Sequence, residues 1–164
     1  MLRLSKKADY ALLALSYMAA RGQRPTVTAR EVAERHAIPI ELLAKVLQRL
    51  VRAGVLTSIQ GIRGGYRLAR TPGGISVAEV VEAIDGPLML TACDDRADTC
   101  EQFEKCSIRD PLHRIRERIV TALHGCSVAE LAEAHEPSAA AMRAIPLTLA
   151  PARGAGLRDA GTDR

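Results

Sequence analysis

A chain of 164 residues with 26% charged and only 2% aromatic side chains is long enough for one ordinary domain, or a small domain with an oligomerising extension. It is too short for a large enzyme of two substructures. The net charge of +4 hides an uneven distribution. Residues 1–75 carry thirteen Lys/Arg against four Asp/Glu, or +9; residues 76–136 carry six against thirteen, or −7; residues 137–164 carry four against two, or +2. A basic N-terminal module is the footprint of a protein that sits on a phosphate backbone, with the acidic half turned away. The opening MLRLSKKADYALLALSYMAA places basic residues ahead of an apolar run, as a secretory leader does, but Asp9, Tyr10 and Tyr17 interrupt the run and Ser5 is placed as a helix cap. The expectation is a soluble, cytoplasmic protein with no membrane partner. Thiols stay reduced there, so clustered cysteines serve as metal ligands or redox sensors rather than as disulfides.

In chain order, Ser5 is followed by Ala8, Ala11, Leu12, Leu15, Met18 and Ala19 at helical spacing. Thr28 and Glu31 form a capping box that opens a short second helix through about His36, and Ala37-Ile38-Pro39 turns the chain. A third helix is predicted from about Ile40 to Ala53. Leu43, Val46, Leu47, Leu50 and Val51 form its buried stripe, Glu41, Lys45, Gln48, Arg49 and Arg52 stay outside, and Gly54 stands at the C-terminal cap. Residues 55–60 and 66–70 read as strands joined by Gly61-Ile62-Arg63-Gly64-Gly65. Two short helices with a tight turn and a following hairpin make a winged helix-turn-helix over residues 1–75. The candidates for reading double-stranded DNA are Glu41, Lys45, Gln48 and Arg49 on the third helix, with Arg63 at the wing tip reaching the minor groove.

Beyond Pro72-Gly73-Gly74, Ser76 and Glu79 cap a helix ending near Asp85, and a loop then carries Cys93, Cys100 and Cys106. Asp110-Pro111 starts a long helix, with Leu112, Ile115, Ile119, Val120 and Leu123 along one side, that ends at Gly125. That stripe needs a partner, either a second copy of the chain or the first helix. Ser127 and Glu130 open a last short helix, and residues 136–164 have the composition of a disordered tail. The expected fold is mainly α: a winged helix with a small hairpin, then a cysteine loop and dimerisation helices over residues 76–135.

The spacing Cys-x6-Cys-x5-Cys lacks the close pairs typical of structural zinc sites. Thiolates in a flexible loop suit an iron–sulfur cluster, [2Fe-2S] or [4Fe-4S], and a non-cysteine ligand on one iron leaves an exchangeable corner suited to sensing. Zinc and a thiol–disulfide switch are the alternatives. The further ligand has to come from elsewhere in the chain, a partner subunit or solvent. His113 and His124 are available, since imidazole is a good iron ligand. At the rise of an α-helix, His113 stays near the loop, whereas Cys126 lies roughly 20 Å beyond it and reads as a small packed residue.

The opening LRLSKKADYALLAL, the wing GIRGGYRLAR, the following SVAEVVEAIDGP and the three cysteines together resemble the Rrf-type winged-helix regulators, the family of the iron–sulfur regulators IscR and NsrR, over residues 1 to about 135. The stretch LTACDDRADTCEQFEKCSIRD looks closest to the branch that regulates the SUF operon for cluster assembly. The resemblance implies a homodimer joined by the long helix, with cluster occupancy setting DNA affinity and often repressing the regulator's own operon. It implies that Cys93, Cys100 and Cys106 are ligands. The IscR pattern has a histidine three residues after the last cysteine, where this chain has Arg109; Asp9 instead matches the aspartate that NsrR-type proteins supply from the partner subunit. IscR-type proteins carry glutamate at the position of Ala44 and commonly arginine at that of Gln60, so the operator differs accordingly. A nitric-oxide or iron-limitation signal would use the same residues. An iron–sulfur enzyme or electron-transfer subunit finds no support, because the chain has no nucleotide-binding glycine fingerprint and no catalytic constellation. A zinc-stapled adaptor is the other contrasting class, separated by metal analysis.

Overall fold

Helix α1 (Lys6–Ala20) begins where the Ser5 hydroxyl accepts the Ala8 N–H at 3.2 Å. The computed structural model describes residues 3–22, 26–62, 64–91 and 101–133. Ala8, Ala11, Ala14 and Leu15 on α1 are fully buried, and the three alanines let other helices approach its backbone closely, so α1 becomes the central rod. Helix α2 (Ala29–His36) is capped by Thr28, whose side chain accepts the Glu31 N–H at 3.2 Å. It stops at Ala37, which takes the left-handed conformation (φ 51°), and the chain turns into α3 (Ile40–Arg52).

Helix α3 buries Leu43, Val46, Leu47 and Leu50 and leaves Val51 only partly covered. Its end is a Schellman motif: Gly54 (φ 73°) donates to the Val51 carbonyl and Val55 to the Leu50 carbonyl, both at 3.0 Å. Because its N–H closes the helix, Val55 joins the hairpin only through its carbonyl, which accepts the Ala69 N–H at 3.0 Å, and the paired strand starts one residue later than the sequence suggests. Strands β1 (Leu56–Ile59) and β2 (Gly65–Leu68) are antiparallel, with Leu56 opposite Leu68 and Ile59 opposite Gly65. The segment before α2 lies along the other side of β2, where Val27 and Tyr66 exchange backbone hydrogen bonds of 2.9 and 2.8 Å. This approach requires Gly65 (φ 154°), since a Cβ there would sit 2.7 Å from the Val27 carbonyl oxygen.

A 3-10 turn at Pro72–Gly74 leads to α4 (Val77–Asp85), capped by the Ser76 side chain. Helix α5 (Arg109–Gly125) and the short α6 (Val128–Glu133) complete the described chain. Val77 donates to the Cys126 carbonyl (2.8 Å) and Val128 to the Ile75 carbonyl (2.9 Å), tying the end of α5 back to the start of α4. Val128 is fully buried, and the Ser16 hydroxyl donates to the Leu131 carbonyl at 3.2 Å, so α6 is seated on α1. The buried cluster is continuous across residue 75: Val80, Ile84 and Val128 belong with Leu15, Leu47 and Leu50. Helix α5 buries none of its residues, and Ile115 on its apolar stripe is 45% exposed. The tail expected to be disordered, residues 136–164, lies outside the described residues.

Candidate nucleic-acid interface and metal centre

The amphipathic pattern that buries one side of α3 presents Glu41, Lys45, Gln48, Arg49 and Arg52 on the other, all exposed. Lys7 of α1 joins Lys45, Gln48, Arg49 and Arg52 around a groove of about 280 Å³. Sequence reasoning did not place Lys7 here, because a lysine in the first turn of a helix reads as solvated and only the crossing of α1 and α3 brings it to the recognition face. Arg49 has a second task. Its Nη1 donates to the Ile84 carbonyl at 2.8 Å, so part of the guanidinium read as a DNA contact holds the last turn of α4. At the wing tip Ile62 is fully exposed, while Arg63 lies outside the described residues.

The last turn of α4 is held from several sides. Ser5 donates its N–H to Asp85 Oδ2 at 3.1 Å and its hydroxyl to Oδ1 at 2.5 Å, and α3 grips the neighbouring Ile84 carbonyl through Arg49. Gly86 (φ 84°) then redirects the chain, and Arg116 Nε of α5 donates to the Leu88 carbonyl at 2.6 Å. The root of the cysteine loop is therefore tied to α1, α3 and α5. Cys93 and Cys100 lie outside the described residues.

Cys106 is half-buried and follows a 3-10 turn at Phe103–Lys105. Arg109 clamps this turn: its guanidinium stacks 4.7 Å from the Phe103 ring centroid, Nη1 donates to the Phe103 carbonyl at 3.2 Å, and Nε donates to Asp110 Oδ1 at 2.8 Å. The hydrogen bond and charge of Arg109 hold the Asp110 carboxyl below the usual carboxylate range, with smaller help from Arg114 and His113. The residue standing where the resemblance would place a histidine ligand thus positions the turn that carries Cys106.

Asp9 is half-buried on α1, beside Leu12, Leu13, Ser16 and Leu131 on an open surface where Leu13 is 37% exposed. His113 Nδ1 lies 3.6 Å from Glu117 Oε1 in an exposed pair one turn into α5. His124 Nδ1 lies 3.4 Å from Ser76 Oγ, at the far end of α5 and roughly 20 Å from Cys106 by helical rise, which removes it as a ligand within the same subunit. Among the described residues no three His, Cys, Asp or Glu side chains converge as a metal site. The donor set nevertheless fits an iron–sulfur centre, since thiolates are its ordinary ligands and a carboxylate is a hard donor for an exchangeable corner.

The helix-turn-helix, the hairpin after it and the basic exposed face of α3 define a winged-helix DNA-binding regulator. Residues 4–134 match Rrf2, the iron-dependent transcriptional regulators, and the chain belongs to this family. It is similar to the HTH-type transcriptional regulator IscR of Xenorhabdus nematophila, with 32% identity over 135 residues and 82% of each chain covered. The IscR of Photobacterium profundum is 32% identical over 130 residues, covering 79% of this chain and 75% of that one. Solved structures also share the fold, the following two at 23% identity. CymR, the global cysteine regulator of B. subtilis, superimposes with a TM-score of 0.66 over 82% of this chain and 98% of that one. T. potens IscR does so with a TM-score of 0.65 over 83% and 90%. The family is one of transcriptional regulators and not of enzymes. Among the described residues no helix is long and apolar enough to cross a membrane.

Proposed function

We propose that this chain is a homodimeric, cytoplasmic repressor of SUF-type iron–sulfur assembly genes, whose affinity for operator DNA is set by a cysteine-ligated [2Fe-2S] or [4Fe-4S] cluster. The observation that carries the reading is the loop root: the turn of α4 from which the cysteine segment departs is hydrogen-bonded to α1 through Ser5–Asp85 and to the recognition helix through Arg49–Ile84. A change in loop conformation has a direct route to the DNA-facing surface. Cys93, Cys100 and Cys106 hold the cluster, and Asp9 of the partner subunit completes it. When bound, the cluster supplies a labile centre whose gain or loss reorganises the loop. The uncovered stripe of α5 provides the dimer contact, which puts two recognition helices on successive half-sites. Glu41, Lys45, Gln48 and Arg49 face the major groove and Arg63 the minor groove.

Iron, acid-labile sulfide and zinc per chain, measured in protein purified without oxygen, test the cofactor assignment. Matching iron and sulfide without zinc is expected, and Asp9→Ala is expected to alter the cluster spectrum and hasten cluster loss to a chelator. Zinc without sulfide would replace the cluster by a structural metal. An Asp9→Ala protein with unchanged spectrum and lability would pass the ligand role to His113.

A further inference from the structure

We propose that Lys7 on α1 acts with Lys45 and Arg52 on α3 as a cradle for one DNA phosphodiester, so that the backbone is gripped between two helices rather than by the recognition helix alone. The inference deepens the DNA-binding reading and rests on it. The groove is lined by four cationic side chains and no carboxylate, above the apolar Leu42 and Val46. An anion is the chemistry such a lining accepts, and the phosphate backbone is the anion that a winged helix meets at this face. Lys7, Lys45 and Arg52 are exposed and have no side-chain hydrogen bond or ion pair among the described residues. In contrast, Arg21, Arg70 and Arg109 are each neutralised by a carboxylate, those of Glu31, Glu79 and Asp110.

The two walls are set before DNA arrives. Ser5 fixes the first turn of α1 to Asp85, and Arg49 fixes α3 to the adjacent Ile84, so the gap between Lys7 and Lys45 is defined by α4 rather than by the ligand. Such preorganisation lowers the ordering cost of the contact. Lys6, its neighbour in sequence, is equally exposed but points about 100° around the helix and does not line the groove.

The test uses the full-length protein and two duplexes of equal length, one selected by the wild-type protein from a random-sequence library and one scrambled. Affinity is measured over a series of potassium chloride concentrations, with thermal melting to confirm that each variant is folded. Lys7→Gln is expected to weaken binding roughly tenfold on both duplexes. It should also reduce the magnitude of the log–log salt slope by about 0.9 per protomer, out of a wild-type value near −7 if about eight phosphates are neutralised per dimer. Lys6→Gln is expected to do neither. An unchanged slope for Lys7→Gln, an equal loss for Lys6→Gln, or a loss confined to the selected duplex would overturn the cradle while leaving DNA binding intact. A wild-type affinity indifferent to salt would overturn the docking itself.

Discussion

Cys106→Ala is expected to give a folded protein that holds no cluster and whose operator affinity no longer responds to iron. The turn that presents Cys106 is fixed by the stacking of Arg109 on Phe103 and its hydrogen bond to the Phe103 carbonyl, contacts that do not involve the thiol. Removing a half-buried sulfur changes little packing, and its effect on stability is expected within about 1 kcal/mol. The effect on the metal is far larger, because the loop offers three thiolates and loses one of them. Iron and sulfide assays with visible absorption on anaerobically purified variant check this, alongside a melting curve. A wild-type spectrum in Cys106→Ala would remove that residue from the centre and reopen the zinc and thiol-switch readings.

The double substitution Ile115→Glu with Ile119→Glu is expected to convert a dimer into a monomer and to weaken operator binding by at least about a hundredfold, the advantage that linking two half-site contacts confers. Helix α5 runs for 17 residues and buries none of them within the chain. Ile115 is 45% exposed, and Leu112, Ile119 and Leu123 are only half-buried. A stripe of this kind along a helix about 25 Å long is stable in water when a second apolar surface covers it. Two carboxylates placed on the apolar stripe of each copy would have to be desolvated in that contact, whereas in a monomer they would be solvated at little cost. Sedimentation or light scattering reads the mass. A mass unchanged from the wild type would show that α5 does not join the subunits.

The local chemistry of this fold was legible residue by residue. Thr28 with Glu31, Ser76 with Glu79 and Ser127 with Glu130 each form the cap their spacing announces, the last with hydrogen bonds in both directions. The buried stripe of α3 and the left-handed Gly54 followed from period and cap chemistry for the same reason: the interacting groups lie within two turns of one another. What escaped was long-range. The Ser5–Asp85 pair spans 80 residues, and neither it nor Arg49–Ile84 leaves any mark in local pattern, so Arg49 read as a free DNA contact and Lys7 was not singled out at all. The Val27–Tyr66 bridge escaped too, since a single paired residue has no periodicity. For the candidate metal centre, residue type and spacing carried the reading of Cys93, Cys100 and Cys106. The structure adds the clamp on Cys106 and places His124 beside Ser76 at the far end of α5.

The measurement that tests the central claim most directly is operator affinity determined on one anaerobic preparation before and after cluster removal, with iron and sulfide quantified in the same samples. Cluster-gated regulation predicts an affinity change of about tenfold or more, the scale of a 1.4 kcal/mol coupling between loop and recognition helix, that tracks the iron and sulfide content and reverses on reconstitution. An affinity identical in the loaded and stripped protein would contradict it, leaving a winged-helix DNA-binding protein whose cysteine loop does not control its grip on DNA.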